Sequence, residues 1–236
     1  KCVHLGLSGT TITAGTAVDV EPGAAQYLSS TIFDGTNAVV CFRSVSDSNK
    51  GKCVHLGLSG TTITAGTAVE FEVGGTQTTS VAAFDATNAI VCFQALSDSN
   101  KGKCLHLGLS GTTITAGTAG QFEAGDMGSS QIAVTTYDAT DAIACFRDER
   151  DYNLGKCVRM YRLGSDLTMY TPILFAAGEV SATSLATMDV GAYNSYAGGA
   201  IICYNERSDV SPSETTECSY IVPYLTAPTP PPPPPP

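Results

Sequence analysis

The chain has 236 residues, a formal net charge of −10 from 12 Lys and Arg against 22 Asp and Glu, and no Trp. That acidity, with no basic cluster, speaks against a nucleic-acid partner, and no apolar run reaches the length of about eighteen residues that membrane insertion requires. The absence of Trp weakens a sugar-stacking role.

The segment KCVHLGLSGTTITAGTA opens the chain at Lys1, returns unchanged at Lys52, and returns at Lys103 with Leu105 in place of Val. A fixed period constrains architecture more than local propensity does. Within each copy KCVHLGL alternates, with Cys2, His4 and Gly6 on one face and Val3, Leu5 and Leu7 on the other, as a strand does. Ser8-Gly9 marks a turn. The following TTITAGTAV is dense in Thr and Ile and suits a pleated surface. A shorter extended segment ends in Phe33-Asp34, matched by Phe84-Asp85 and Tyr137-Asp138, and leads into the turns GTN, ATN and ATD. The apolar runs AVVCF, AIVCF and AIACF come next, too short for helices. The loop SDSNKGK then returns the chain to the next KC segment. No window has helical spacing, so the fold class is all-β, built from antiparallel strands. Four short strands in about fifty residues are the length signature of a propeller blade. Parallel β-helices use shorter repeats, and immunoglobulin-like units need about 100 residues.

The layout CF, loop, GKC, SGTTIT, GT, F-D resembles a family of blade-forming repeats, from Lys1 to about Leu225. The resemblance implies that AVVCF is the innermost strand. The expected domains are 1-225 for the propeller repeats and 226-236 for a proline-rich tail.

Nine cysteines fall into two series. Cys41 and Cys53, Cys92 and Cys104, and Cys145 and Cys157 are each 12 apart, and Cys203 and Cys218 are 15 apart. Each pair joins a CF strand to the KC strand after it, where opposed residues lie within disulfide range. Four hairpin disulfides are expected, with free buried thiols as the alternative. No C-x-x-C pair supports zinc. Disulfides imply an oxidising compartment, hence a secreted protein of the extracellular matrix or cell surface. Cys2 is left over, unpaired or paired outside this segment, because no CF strand lies twelve residues before it. The expectation is a segment of a longer propeller, with a closed four-blade ring as the alternative.

The fourth unit departs from the others, with KCVRMYRLGSDLTMYTPILF and Arg159 at the histidine position, as terminal repeats do. Beyond it TAPTPPPPPPP carries seven consecutive prolines, Pro230, Pro231, Pro232, Pro233, Pro234, Pro235 and Pro236, after Pro228. Such a run forms a polyproline II rod. Joined to a disulfide-rich β-array, it resembles the modular hydroxyproline-rich glycoproteins of green-algal and plant extracellular matrices. That resemblance implies hydroxylated, O-glycosylated prolines at these positions.

Other chemistry is weaker. His4, His55 and His106 repeat at blade spacing, about 10 Å, too far apart to share a metal, so packing or surface roles are expected. Asp47-Ser48-Asn49 begins like a calcium loop, but Lys50 stands where the cation would sit. Asp34, Asp85, Asp138 and Asp189 suit turn formation. No G-x-S-x-G elbow or nucleophile–histidine spacing occurs, so no cofactor, no metal and no enzymatic role are expected. The leading functional expectation is a structural matrix, wall or surface-fibril glycoprotein. Its partners would be covalent O-linked glycans and other matrix or fibril subunits, with self-assembly allowed. The alternative is a propeller lectin with a groove between blades built from Tyr27, Asn37 and Asp34 and their equivalents. An enzyme whose site lies on further blades is a third reading.

Overall fold

The structure, a computed structural model, describes residues 1–127, 132–188, 199–207 and 214–221. The proline tail and Asp189 lie outside the described residues. In chain order β1 (Leu5–Ser8) and β2 (Thr11–Ala14) form a two-stranded ribbon. The first full blade follows: β3 (Ala25–Ile32), β4 (Asn37–Ser44), β5 (Lys50–Ser59), β6 (Thr62–Ala65) and β7 (Val69–Glu72). The second is β8 (Thr76–Ala83), β9 (Asn88–Ala95), β10 (Lys101–Ser110), β11 (Thr113–Ala116) and β12 (Gly120–Glu123). The third comprises β13 (Ile132–Thr136), β14 (Asp141–Asp148), β15 (Leu154–Leu163), β16 (Asp166–Met169) and the start of β17 (Ile173–Met188). The rest of β17 begins a fourth sheet with β18 (Gly199–Arg207) and β19 (Glu214–Ile221).

Each full blade is a four-stranded antiparallel meander whose fourth strand is broken in two. β6 pairs with one end of β5 and β7 with the other, on the edge opposite β4. The break falls at Gly66, and at Gly117 in the next blade. There a side chain would meet the backbone carbonyl of the following blade's turn, Thr112 O at 3.4 Å and Ser165 O at 3.3 Å. Glycine lets neighbouring blades close up at their outer edges. β17 runs through the blade boundary as one strand. Between the first and second blades Gly74-Gly75, with Gly75 at φ 92°, breaks the chain at that boundary.

The order β3-β4-β5 and its repeats put the CF strand second in the blade, not innermost. The innermost position belongs to β3, β8 and β13. Consecutive inner strands are linked by Val81 N–H to Ser29 Oγ, Val134 N–H to Ser80 Oγ, both 3.1 Å, and Thr136 Oγ1 to the Ala83 carbonyl, 2.7 Å. This position explains the unbroken apolar run. Val39 and Cys41 face the following blade while Val40 and Phe42 pack on the other side, so both faces of β4 are buried.

One aromatic contact repeats at every seam between blades. A ring on the outer strand of each blade lies over a glycine of its own third strand and meets a ring on the second strand of the next. The centroid distances are 4.9 Å for Phe71 and Phe93, 5.0 Å for Phe122 and Phe146, and 5.0 Å for Phe175 and Tyr204. Such tilted pairs contribute about 0.5–1.5 kcal/mol beyond the area they bury. The glycines are Gly51, Gly102 and Gly155, where a Cβ would come within 2.5 Å of Phe71 Cζ, 2.5 Å of Phe122 Cζ and 2.7 Å of Phe175 Cε2.

Four disulfides, Cys41–Cys53, Cys92–Cys104, Cys145–Cys157 and Cys203–Cys218, staple the second strand to the third, each with Cα atoms 4.1 Å apart. In each case the two cysteines are directly opposed in the ladder. Four disulfides fit an extracellular, oxidising setting. Among the described residues no helix is long and apolar enough to cross a membrane.

Candidate functional site

The meander brings two turns of each blade to one end, the turn between first and second strands and the turn between third and fourth. They are tied by one backbone bond in every blade, Leu58 to Thr36, Leu109 to Thr87 and Arg162 to Thr140, each 2.7 Å from N–H to carbonyl. The first of these turns carries the repeated Asp. Asp34 Oδ1 accepts from the Thr36 N–H at 2.7 Å, the Thr36 hydroxyl at 2.9 Å and the Asn37 N–H at 2.8 Å. Asp85 accepts likewise from the Thr87 N–H and hydroxyl, and Asp138 from the Thr140 N–H and hydroxyl and the Asp141 N–H. These bonds, led by the Thr36 N–H, bring the Asp34 carboxyl down to about 2. Burial by itself would raise Asp85 and Asp138, but the hydrogen bonds outweigh it and hold both below the usual carboxylate range.

Behind the first two turns stands a histidine. His55 Nε2 donates to Asn37 Oδ1 at 2.8 Å, and Asn37 Nδ2 passes the connection on to Asp34. His106, Asn88 and Asp85 repeat the relay. Both imidazoles are buried, and desolvation pushes their pKa down, so they are neutral at physiological pH. In the third blade the pair changes together. Arg159 replaces His, Asp141 replaces Asn, and the guanidinium bonds Asp141 Oδ1 through Nη2 at 2.6 Å and Nε at 2.8 Å while covering the Tyr170 ring. A neutral hydrogen bond has become an ion pair at the same position. Arg162 adds a link between blades. It reaches Asp85 Oδ2 at 3.1 Å, lies over the Phe84 ring and donates to the Ala139 and Gly164 carbonyls. The result is a row of carboxylates with lowered pKa, half-buried at Asp34 and Asp85 and exposed at Asp138, each beside a threonine hydroxyl and repeated once per blade at one end of the array. Such groups accept hydrogen bonds from hydroxyls and hold cations.

The opposite end is differently built. Asp47 receives Lys52 at 2.9 Å and Lys50 at 3.4 Å, Asp98 receives Lys103 and Lys101, and Lys156 binds Asp148 and Asp151. Lysine ammonium groups thus take the carboxylate that the calcium-like motif would have offered a metal. Among the described residues no cluster of His, Cys, Asp and Glu forms a metal site.

Tyr27 and Arg43 also lie at this opposite end. Tyr27 sits in a bulge of β3 at φ 52°, with Arg43 Cζ 5.9 Å from its ring centroid and Arg43 bonded to Asn49 Oδ1. β3 separates it from Asp34, so the groove of Tyr27, Asn37 and Asp34 expected from sequence is not assembled. Asn37 and Asp34 do meet. Sequence reasoning missed Arg162, whose partner lies 77 residues away, and missed the joint exchange at Arg159 and Asp141, for which the legible signal was Asn to Asp in the turn ATD.

No protein-family model and no curated protein matches the chain. Its fold matches solved structures. NanB sialidase from Streptococcus pneumoniae aligns with a TM-score of 0.58 and 10% identity, covering 89% of this chain and 32% of that one. AofleA from Arthrobotrys oligospora aligns with a TM-score of 0.53 and 8% identity, over 82% of this chain and 56% of the other. The N11 neuraminidase-like protein of a flat-faced bat influenza virus from Peru gives 0.50 and 10%, over 89% and 64%. The chain thus spans about a third of NanB and just over half of AofleA. These likenesses establish a sialidase-like β-propeller architecture. They also correct the expectation of a non-enzymatic protein, because this architecture carries sialidases. The physical reason is that glycoside chemistry draws on carboxyl groups brought together in space, which a search for local catalytic spacings does not detect.

Proposed function

We propose that the chain is the glycan-facing propeller portion of an extracellular protein, and that the end carrying Asp34, Asp85 and Asp138 is where it meets sugar. The observation that supports this most directly is the repetition, blade after blade, of an ionised carboxylate beside a threonine hydroxyl. Vicinal sugar hydroxyls donate well to such groups, and one weak site per blade gains strength through multivalency. The carbohydrate-related fold supports the same reading. The carboxylates and the net charge of −10 favour neutral over sialylated glycans. The test is a glycan array probed with the full chain, with hydrolysis of reporter glycosides followed in parallel. Retention on neutral glycans, weakened by Asp34→Ala, is expected. Retention confined to sialylated glycans, or none, refutes the reading.

A second reading, a matrix or fibril glycoprotein with a glycosylated proline shaft, is favoured by the near-identity of the first three repeats and by the run Pro230 to Pro236. Peptide mass spectrometry of native material tests it. Hydroxyproline carrying pentose or hexose supports the shaft, and bare prolines reduce the run to a linker.

A further inference from the structure

The three Asp turns are built alike inside and differ in what the following blade sets against them. Arg162 of the third blade corresponds to Leu109 of the second, since each donates its N–H to the Thr carbonyl of its own Asp turn. At the first seam Leu109 packs against the apolar cluster that holds Phe33. At the second seam Arg162 lies over Phe84, with Cζ 5.2 Å from the ring centroid, and its guanidinium continues past the ring to Asp85 Oδ2 at 3.1 Å. Leucine is too short to do the same for Asp34.

The oxygen that Arg162 reaches is the one the turn leaves over. Asp34 Oδ1 is taken up by Thr36 and Asn37, Asp85 Oδ1 by Thr87 and Asn88, and Asp138 Oδ1 by Thr140 and Asp141. Oδ2 remains, with about two lone-pair sites. At Asp34 it accepts from Asn37 Nδ2 at 2.9 Å. At Asp85 it accepts from Asn88 Nδ2 at 2.9 Å and also from Arg162 Nη2. Among the described residues no donor reaches Oδ2 of Asp138, and Arg159 beside it is committed to Asp141. Arg162 cannot easily turn aside, because its other nitrogens donate to the Ala139 and Gly164 carbonyls. A sugar hydroxyl arriving at Asp85 would have to displace a charge-assisted bond, about twice as strong as the neutral one it could offer.

We propose, resting on the glycan reading of these turns, that Arg162 determines which of them bind: it fills the ligand-facing oxygen of Asp85, so that neutral sugar docks at Asp34 and Asp138 and not between them. Repetition supplies three turns and Arg162 withdraws the middle one. A glycan that gains from multivalency is then one long or branched enough to reach alternate blades.

The probes are the methyl glycosides of galactose, glucose and mannose, titrated into the isotope-labelled full chain with the Thr36, Thr87 and Thr140 amides as NMR reporters. With at least one of these sugars the Thr36 and Thr140 amides should move and the Thr87 amide should stay. Arg162→Leu should bring in Thr87, with a midpoint like that of Thr36. Leu109→Arg should do the reverse at the first seam, weakening the Thr36 response about tenfold or more and leaving Thr140 as it was. The Asp85 carboxyl gives a reading without sugar. Burial raises it, and the bonds from Thr87 and Asn88 with the Arg162 charge more than offset this, so Arg162→Leu should shift its titration midpoint upward. A Thr87 response equal to that of Thr36 in the parent chain, or none in Arg162→Leu while Thr36 still responds, would overturn the role of Arg162 and leave the glycan reading standing. Silence at all three turns would overturn both.

Discussion

Gly102 tests the packing argument most sharply. Its backbone lies outside the left-handed region, so glycine is there for space: a Cβ would fall 2.5 Å from Phe122 Cζ and 2.6 Å from Cε2, with the fully buried Met127 sulfur closing the same volume. Phe122 cannot swing away, because its ring is held 5.0 Å from Phe146 of the next blade. Gly102→Ala should therefore pry the second and third blades apart locally. Overpacking of this kind costs about 1–3 kcal/mol, against which alanine regains about 0.5–1 kcal/mol of backbone entropy. At the middle of both ranges the net loss is about 1.3 kcal/mol, which at roughly 2–4 °C per kcal/mol for a chain of this size is a fall in Tm of about 3–5 °C. Thermal unfolding without reductant reads it. Pairing the change with Phe122→Leu, which removes the ring tip, should recover most of the loss relative to Phe122→Leu alone. A Gly102→Ala variant as stable as the parent, or a double mutant that behaves additively, would refute the reasoning.

The remaining predictions concern other parts of the fold. Arg159→His leaves Asp141 without its guanidinium and should cost about 1–3 kcal/mol, while adding Asp141→Asn, which installs the relay of the first two blades, should restore stability; additivity in a double-mutant cycle argues against a shared role. Replacing Cys92 and Cys104 by Ser opens a disulfide of sequence separation 12 and should remove about 3 kcal/mol, read as a lower denaturation midpoint; an unchanged midpoint refutes it. Because burial lowers His55 and His106 below 6.5 in the folded chain, the unfolded chain takes up protons first, so stability should decline as pH falls below about 6.5. The depressed aspartates act in the same direction lower down. Asp34 contributes stability present above about pH 4 that is lost towards its folded value of about 2, and an NMR titration placing its midpoint near 4 would contradict the turn geometry.

Much of this was legible in the sequence because repetition makes weak signals redundant. The cysteine spacing identified each hairpin, and the turn residues identified its ends. Strand order was not legible, since a circular succession of four strands has no marked beginning, and AVVCF suits any position with both faces covered. The contact of Phe71 with Gly51 was equally hidden: both residues recur at one period, but nothing in the period says that the ring crosses its own blade to reach Phe93. At the candidate site the Asp turns could be read locally. The reach of Arg162 to Asp85 could not, because it depends on how two blades lie together. Tyr27 was grouped with Asp34 in one groove between blades, yet the strand between them carries them to opposite ends.

The ring pairs and disulfides bear on how such an array changes length. A copy beginning at Lys52 contains both Phe71 and Phe93, the two halves of one seam, while its Cys53 is bonded to Cys41 of the copy before and its Cys92 to Cys104 of the copy after. The genetic repeat is thus offset from the blade by half a sheet. Insertion or loss of one copy by recombination adds or removes a finished joint and leaves its neighbours latched to each other as before. Near-identical copies can then multiply or contract without any new interface having to evolve.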